Sequence, residues 1–509
     1  MDKNTIKVTC ACLIVFYFLL SFISSFQVPV GWDSSIIIDG SYRISLGQAP
    51  HTDFFTNIGF LVYLLGALGL FLDINWSYAS IYFGFYIFYL FTIFFTTYRF
   101  LNIKNINSML IVIVTFISAY AFTHRIEGYS ALSLGNTGLY NHIGHFLLTI
   151  LCLNTFRILS ENKQYIDKKD LYFISIILTC LFIGKITFFL VSIPIITFLI
   201  IRNLKAYIEI MLLTFVFVTL IYILMGIKLF DVISYYNLIA SNGDSLINEM
   251  FSIKIIKIHL LGTPLQYYLA VIILSYGYIR LNLVSIIQGV ALCIAVIFLT
   301  YFLSVTNGQE PEPFLPFLYS LIFLMYFGFM LSRKEYHPEF KINYKNLTLP
   351  LIVSIYLLSG HIFLNTKGHL HWISYNTFSA VIDIKSYINK IKPAPSYHID
   401  CIEPYITSNS QVLSVGSNNI YNYYFNLIPP KETLHYWHES VTFNEKIAKS
   451  SDIFLPEKML SNVNLIFLSK TNMLPSVNIF KKIYKNYLEK NFIEFNSPKN
   501  QCIILKRIE

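Results

Sequence analysis

Charge is what this sequence has least of. Only 13% of its 509 residues are Asp, Glu, Lys or Arg, about half the ~25% of an ordinary soluble domain. With a hydrophobic fraction of 55%, an aromatic fraction of 17% and a mean hydropathy of +0.58, this scarcity excludes a disordered chain, a coiled coil and an ordinary cytosolic enzyme. Nucleotide-handling motifs are missing too. There is no P-loop, no GxGxxG fingerprint and no serine-nucleophile elbow, so nothing indicates a nucleotide-driven step. The 7 cysteines show no zinc-type Cys/His spacing. Carboxylates are nearly absent from the apolar stretches, which weighs against a proton-coupled transporter. The net charge of +9 is accounted for by basic membrane-flanking loops and is no argument for nucleic acid.

What is present is a succession of apolar stretches. A helix needs ~20 apolar residues to cross the bilayer. Candidates lie at 6–26, 78–98, 109–122, 142–156, 171–183, 188–201, 208–224, 260–278, 283–303, 316–331 and 349–364. The expectation is therefore a polytopic α-helical membrane protein with about eleven spans. A cleaved signal peptide is the alternative for 6–26. That run exceeds the ~7–15 residues of a signal core and no small-x-small site follows it, which favours an uncleaved span. Lys3 and Lys7 put the N-terminus in the cytoplasm. The basic connectors Arg99/Lys104, Arg157/Lys163/Lys168/Lys169, Arg202/Lys205, Arg280 and Arg333/Lys334/Lys341/Lys345 then fall on the same side. The apolar run 59–72 is short for a span, and counting it would put every later basic connector outside. It is expected to lie along the outer membrane face, within one external loop, 27–76, that also carries a helix at 34–46.

From Thr366 onward the composition changes. This stretch holds 16 basic and 11 acidic residues, 27 of the chain's 65 charges. The expected division is a transmembrane domain at 1–365 and an external, periplasmic α/β domain at 366–509. Its β-prone runs are 411–415, 465–468 and 502–505, and its helix is 477–488. Cys401 and Cys502 lie near the two ends of this domain, where an oxidising compartment would allow them to pair.

Polar groups at the outer membrane edge are the candidates for chemistry, because lipid makes them costly. Asp33 follows the first span. It is either the N-cap of the next helix or a carboxylate that activates an acceptor beside a lipid-borne substrate. Asp39 and Arg43 read as a surface i,i+4 ion pair. Asp53, in His51-Thr52-Asp53, is either a turn cap or a substrate ligand. Arg125 and Glu127 end one apolar stretch, and Tyr140 and His142 open the next. Lys185 stands between two apolar runs, either snorkelling or supplying a cation for a lipid phosphate. His435, Tyr436, Trp437 and His438 form either a packed aromatic cluster or a sugar contact. Glu310-Pro311-Glu312-Pro313 faces either a metal or solvent.

The stretches Gly31-Trp32-Asp33-Ser34, Gly47-Gln48-Ala49-Pro50-His51-Thr52-Asp53-Phe54-Phe55 and Gly59-Phe60-Leu61-Val62-Tyr63 together resemble the first external loop of the C-type, lipid-phosphate-sugar-dependent glycosyltransferases. That superfamily includes protein O-mannosyltransferases and bacterial aminoarabinose transferases. Phe60 stands where that family usually has Pro, and Asp33-Ser34 where it often has an acidic pair. The resemblance implies about a dozen spans, a cytoplasmic N-terminus and an external C-terminal domain. It implies that Asp33 matches the catalytic carboxylate and that Glu127 takes the second acidic position. Tyr140-Asn141-His142-Ile143-Gly144 is similar to a Tyr-Asn-Arg-x-Gly stretch of bacterial members, with His142 in place of Arg.

The expected function is a hexosyl- or pentosyltransferase of the bacterial inner membrane, acting in cell-envelope glycan synthesis. It would move a sugar from a polyprenyl-phosphate donor to a glycan, lipid or protein acceptor on the outer face. Asp33 and Glu127 would be catalytic, with Lys185, Arg125, Asp53, His142 and Tyr140 binding substrate. No cofactor is demanded, and a divalent metal stays open. The alternatives are a transporter or flippase, which predicts inverted repeats and midplane charges, and a glycan polymerase or ligase, which predicts a large late external loop. Neither feature is found.

Overall fold

The computed structural model describes residues 3–25, 32–56, 59–71, 78–101, 110, 114, 117, 118, 121, 139–160, 165–197, 203–234, 399–415, 420–435, 437, 443–450, 452–469, 475–496 and 502–508. The chain divides into two compact units. Among the described residues, unit 1 holds α1 (Lys3–Ser25), most of α4 (Tyr78–Phe100), α5 (Leu139–Ser160), α6 (Lys168–Gly184), α7 (Ile186–Thr197) and most of α8 (Leu204–Leu224). Unit 2 holds α2 (Trp32–Ser45), β1 (Phe54–Phe55), α3 (Leu61–Phe71), the end of α8 and everything from residue 399 onward.

In unit 1, α1 buries Ile6, Cys10 and Ile14, a four-residue repeat that forms one stripe of a helix, and Phe18 meets Tyr86 of α4 edge-on. Helix α5 is buried along its length, with Gly144 at the close approach to the Phe188 ring of α7. Hydroxyls join α6 to α8, as Ser175 donates to the Ile210 carbonyl at 3.2 Å. At one end, Arg99 of α4 donates Nε to Asp170 Oδ1 at 2.8 Å and Nη2 to the α6 N-cap Asp167 at 3.0 Å. Arg157 of α5 also pairs with Asp170. Two of the cations expected on a cytoplasmic face, Arg99 and Arg157, share this buried carboxylate. One acid joins three helices, and a buried charge that is paired avoids the cost of an isolated one.

In unit 2, α2 and α3 pack so closely that a Cβ at Gly40 would enter the Tyr63 ring and one at Gly66 would strike the Ser41 hydroxyl. Helix α2 ends at Gly47, whose φ of +81° is the left-handed C′ conformation. Gln48 N bonds Arg43 O at 2.9 Å and Gly47 N bonds Ile44 O at 2.9 Å, which completes a Schellman ending. The two-residue strand β1 pairs in parallel with β3 (Thr433–Leu434).

The remaining sheet has the order β2-β4-β6-β5, with β2 (Val412–Val415), β4 (Leu465–Ser469), β5 (Phe492–Asn496) and β6 (Cys502–Arg507). β2 runs parallel to β4, and β6 is antiparallel to both β4 and β5. The central strands are apolar almost throughout because both faces are covered. Leu413, Val415, Ile466, Leu468, Ile503 and Leu505 face a core with Val477, Phe480, Tyr484 and Leu488 of α9 (Pro475–Asn491). Val412, Leu465, Phe467, Cys502 and Ile504 face a second core with Cys401, Ile402, Tyr421 and Leu427. Cys401 and Cys502 thus share one buried cluster, where the structure holds both as thiols.

The expectation of about eleven spans does not hold. Among the described residues two helices are long and apolar enough to cross a membrane, Ile81–Phe100 and Leu204–Leu224, and the rest are shorter or more polar helices and two sheets. The causes are local. The stretch 171–183 lies in α6, which is 17 residues long and opens on Lys168, Lys169 and Asp170. The stretch 188–201 becomes α7, 12 residues with Pro194 inside, against the ~20 a crossing needs. The stretch 142–156 lies in α5, which is long enough but buries Asn141, His145, Asn154 and Arg157. The apolar part of α1 is Asn4–Leu19. The stretches 260–278, 283–303, 316–331 and 349–364 lie outside the described residues, as does 109–122 apart from five positions.

Candidate functional site

Unit 2 centres on α2. Ser35, Ile36, Ile37, Ile38, Asp39, Ser41 and Arg43 are all buried, so the helix is enclosed on every side from Ser35 to Ser41, while Tyr42, Ile44 and Ser45 are half-buried. Arg43 donates Nε to Asp39 Oδ2 at 2.8 Å, and Nη1 to Gln48 Oε1 at 3.1 Å and to the Pro430 carbonyl at 2.9 Å. Gln48 Nε2 donates to the Pro429 carbonyl at 2.7 Å. The Arg43–Asp39 pair is therefore not on the surface but in the core, 2% and 0% exposed. Burial raises the Asp39 carboxyl above the usual carboxylate range, and the Arg43 guanidinium only partly offsets this.

His435 lies between Phe54 and Tyr63, with ring centroids at 5.5 Å and 4.9 Å, and donates Nε2 to the Ile36 carbonyl at 2.8 Å. Burial lowers its pKa to about 3, and that of His51 to about 4. Trp437 is buried against Phe443 and Phe480. Both His435 and Trp437 are thus core residues, which removes them from sugar contact; Tyr436 and His438 lie outside the described residues.

Helix α2 begins at Trp32. Asp33 therefore stands inside its first turn rather than capping a helix that starts one residue later. A carboxylate there is favoured by the helix dipole. Residues 32–34 are described by backbone only. Asp53 holds a turn together: Oδ2 accepts from Ala49 N at 2.8 Å and Oδ1 pairs with Lys431 Nζ at 3.1 Å, while Glu432 N bonds its carbonyl at 2.6 Å. These contacts tie the turn to the chain around 430 and give Asp53 a structural part. Arg125 and Glu127 lie outside the described residues, as does 310–313.

In unit 1, residues from two of the expected positions meet. Lys185 caps the C-terminus of α6. Its ammonium donates to Asn141 Oδ1 at 2.9 Å and lies 5.0 Å from the centroid of the Tyr140 ring. Burial lowers its pKa to about 7, so an anion that restored its charge would bind favourably. His142 turns instead to the Tyr89 ring, at 5.9 Å. Asn141 stands in the Tyr140–Gly144 stretch of the family resemblance, which gives it no role of its own; in the structure it is the partner of the Lys185 ammonium. Among the described residues no three His, Cys, Asp or Glu side chains gather as a metal-ligand set.

No family model, no curated protein and no solved structure matches this chain.

Proposed function

We propose that the chain is a membrane-bound glycosyltransferase that moves a sugar from a polyprenyl-phosphate donor to a glycan, lipid or protein acceptor at the outer face of the inner membrane. The observation that carries this reading is the setting of α2. The helix whose first turn holds Asp33 is enclosed on all sides from Ser35 to Ser41 and latched near its far end through Arg43 and the neighbouring Gln48. A catalytic group needs such a rigid support. The motif of the first loop, from Trp32 to Tyr63, adds to this.

Asp33 takes the proton of the acceptor hydroxyl as that oxygen attacks the anomeric carbon. The bond from this carbon to the phosphate oxygen breaks, and polyprenyl phosphate departs with the electron pair. Membranes carrying the chain are incubated with a panel of radiolabelled polyprenyl-phosphate sugars. Label passes to acceptor with the parent chain, and Asp33→Asn lowers transfer at least ~100-fold. Full transfer by Asp33→Asn at equal protein level would overturn the reading.

A further inference from the structure

Six large apolar side chains stand exposed around a single turn of unit 2. Helix α8 ends at Gly226, whose φ of +67° is the left-handed C′ conformation. Ile227 N bonds Tyr222 O at 2.9 Å and Gly226 N bonds Ile223 O at 3.1 Å, a second Schellman ending. A helical segment, 229–234, opens directly after it. Before the turn Leu220, Ile223 and Leu224 are 49%, 70% and 75% exposed; after it Leu229, Phe230 and Ile233 are 60%, 78% and 49% exposed. Between them stand buried Ile227 and the exposed cation Lys228.

We infer that residues 220–233 form a bilayer-interface anchor, in which Leu229, Phe230 and Ile233 enter the acyl boundary and Lys228 sits at the headgroups. The occupant of this surface is lipid rather than a protein partner, for three reasons. The patch continues the outer face of α8, which is long enough to cross a membrane and is only 17% buried. A helix that shows water apolar residues along nearly its whole length is matched to hydrocarbon. Its exit carries a lysine next to a short segment with apolar residues on its outer side, which is how interfacial segments are built.

The anchor is fastened to the first loop. Thr52 donates to Asp231 Oδ2 at 3.3 Å and accepts from Lys228 N at 3.2 Å, and Phe60 packs on Tyr222 at 5.8 Å. The turn that holds Asp53 is thereby kept at headgroup depth, where a lipid-borne donor presents its phosphate. This part of the inference rests on the glycosyltransferase reading; the anchor itself does not.

The test uses the full chain in proteoliposomes of phosphatidylcholine brominated midway along its acyl chains. The parent has 4 tryptophans, so the emission added by Phe230→Trp is read by difference, and Ile233→Trp is a second reporter on the same face. The expected result is at least two-fold quenching of the added emission by bromine and none by aqueous iodide. Quenching by iodide and not by bromine in both variants would overturn the anchor. Bromine quenching without transfer from any polyprenyl donor would leave the anchor standing and remove the glycosyltransferase reading. Transfer without bromine quenching would remove the anchor alone.

Discussion

Arg43 donates to a carboxylate four residues back, to an amide five residues on and to a carbonyl 387 residues away. Its Cζ also lies 5.4 Å from the centroid of the Phe54 ring. Truncating one partner of a buried ion pair strands the other charge. Arg43→Ala is therefore expected to destabilise the full chain by about 3–5 kcal/mol, read by denaturant titration, and to open the 429–431 stretch to protease. Asp39→Ala added to it costs less than the two single changes summed, because the stranded carboxylate is then gone. The pair's spacing was legible in the sequence, but its burial was not. What encloses it is a proline carbonyl far along the chain, and no local pattern announces that. Asp53 shows the same limit: as a turn residue it was legible, while its tie to Lys431 was not.

At the scale of the element, hydropathy overcounted crossings because a helix enclosed in protein and a helix facing lipid have similar apolar content. Burial separates α8, mostly exposed, from α5, whose interior carries Asn154 bonded to Thr96 at 3.2 Å and Arg157 paired with Asp170. The short strands after residue 411 were more legible, since two covered faces require apolar residues at both parities. β5, with Ile493 and Phe495 exposed at the sheet edge, escaped notice because Glu494 and Asn496 interrupt its apolar residues. Asp170 is the joint among α4, α5 and α6. Asp170→Asn leaves Arg99 and Arg157 short of a counter-charge and is expected to cost about 3–5 kcal/mol. Hydrogen exchange should then rise at the ends of α4 and α5 while unit 2 stays protected. Equal loosening of both units would contradict that role.

At the scale of the molecule, two buried imidazoles in unit 2 couple stability to pH. An unfolded histidine takes up its proton near 6.5, whereas His51 does so at about 4 and His435 at about 3 in the fold. Between those values the unfolded chain binds more protons, so stability falls as pH falls. Their contribution is complete above about pH 6.5 and is lost on the way down through 4 and 3, by about 1.4 kcal/mol per unit of depression. Asp39, raised by burial, works in the opposite direction. The denaturant midpoint of the parent is expected to drop from pH 7 to pH 5. His51→Asn is expected to reduce that slope by about one proton. Asn tolerates the left-handed backbone at this position, where φ is +64°. An unchanged slope would show that His51 does not titrate on unfolding.

The pairing of Phe54–Phe55 with Thr433–Leu434 also sets a schedule for biosynthesis. A ribosome adding about 5–20 residues per second needs roughly 20–75 s to travel from the first of these strands to the second. For that interval α2 has neither the Pro430 carbonyl for Arg43 nor the His435 ring against Phe54. Until then the nascent first loop has α3 and the turn around Lys228 as partners, and unit 2 can close only once synthesis has passed residue 435.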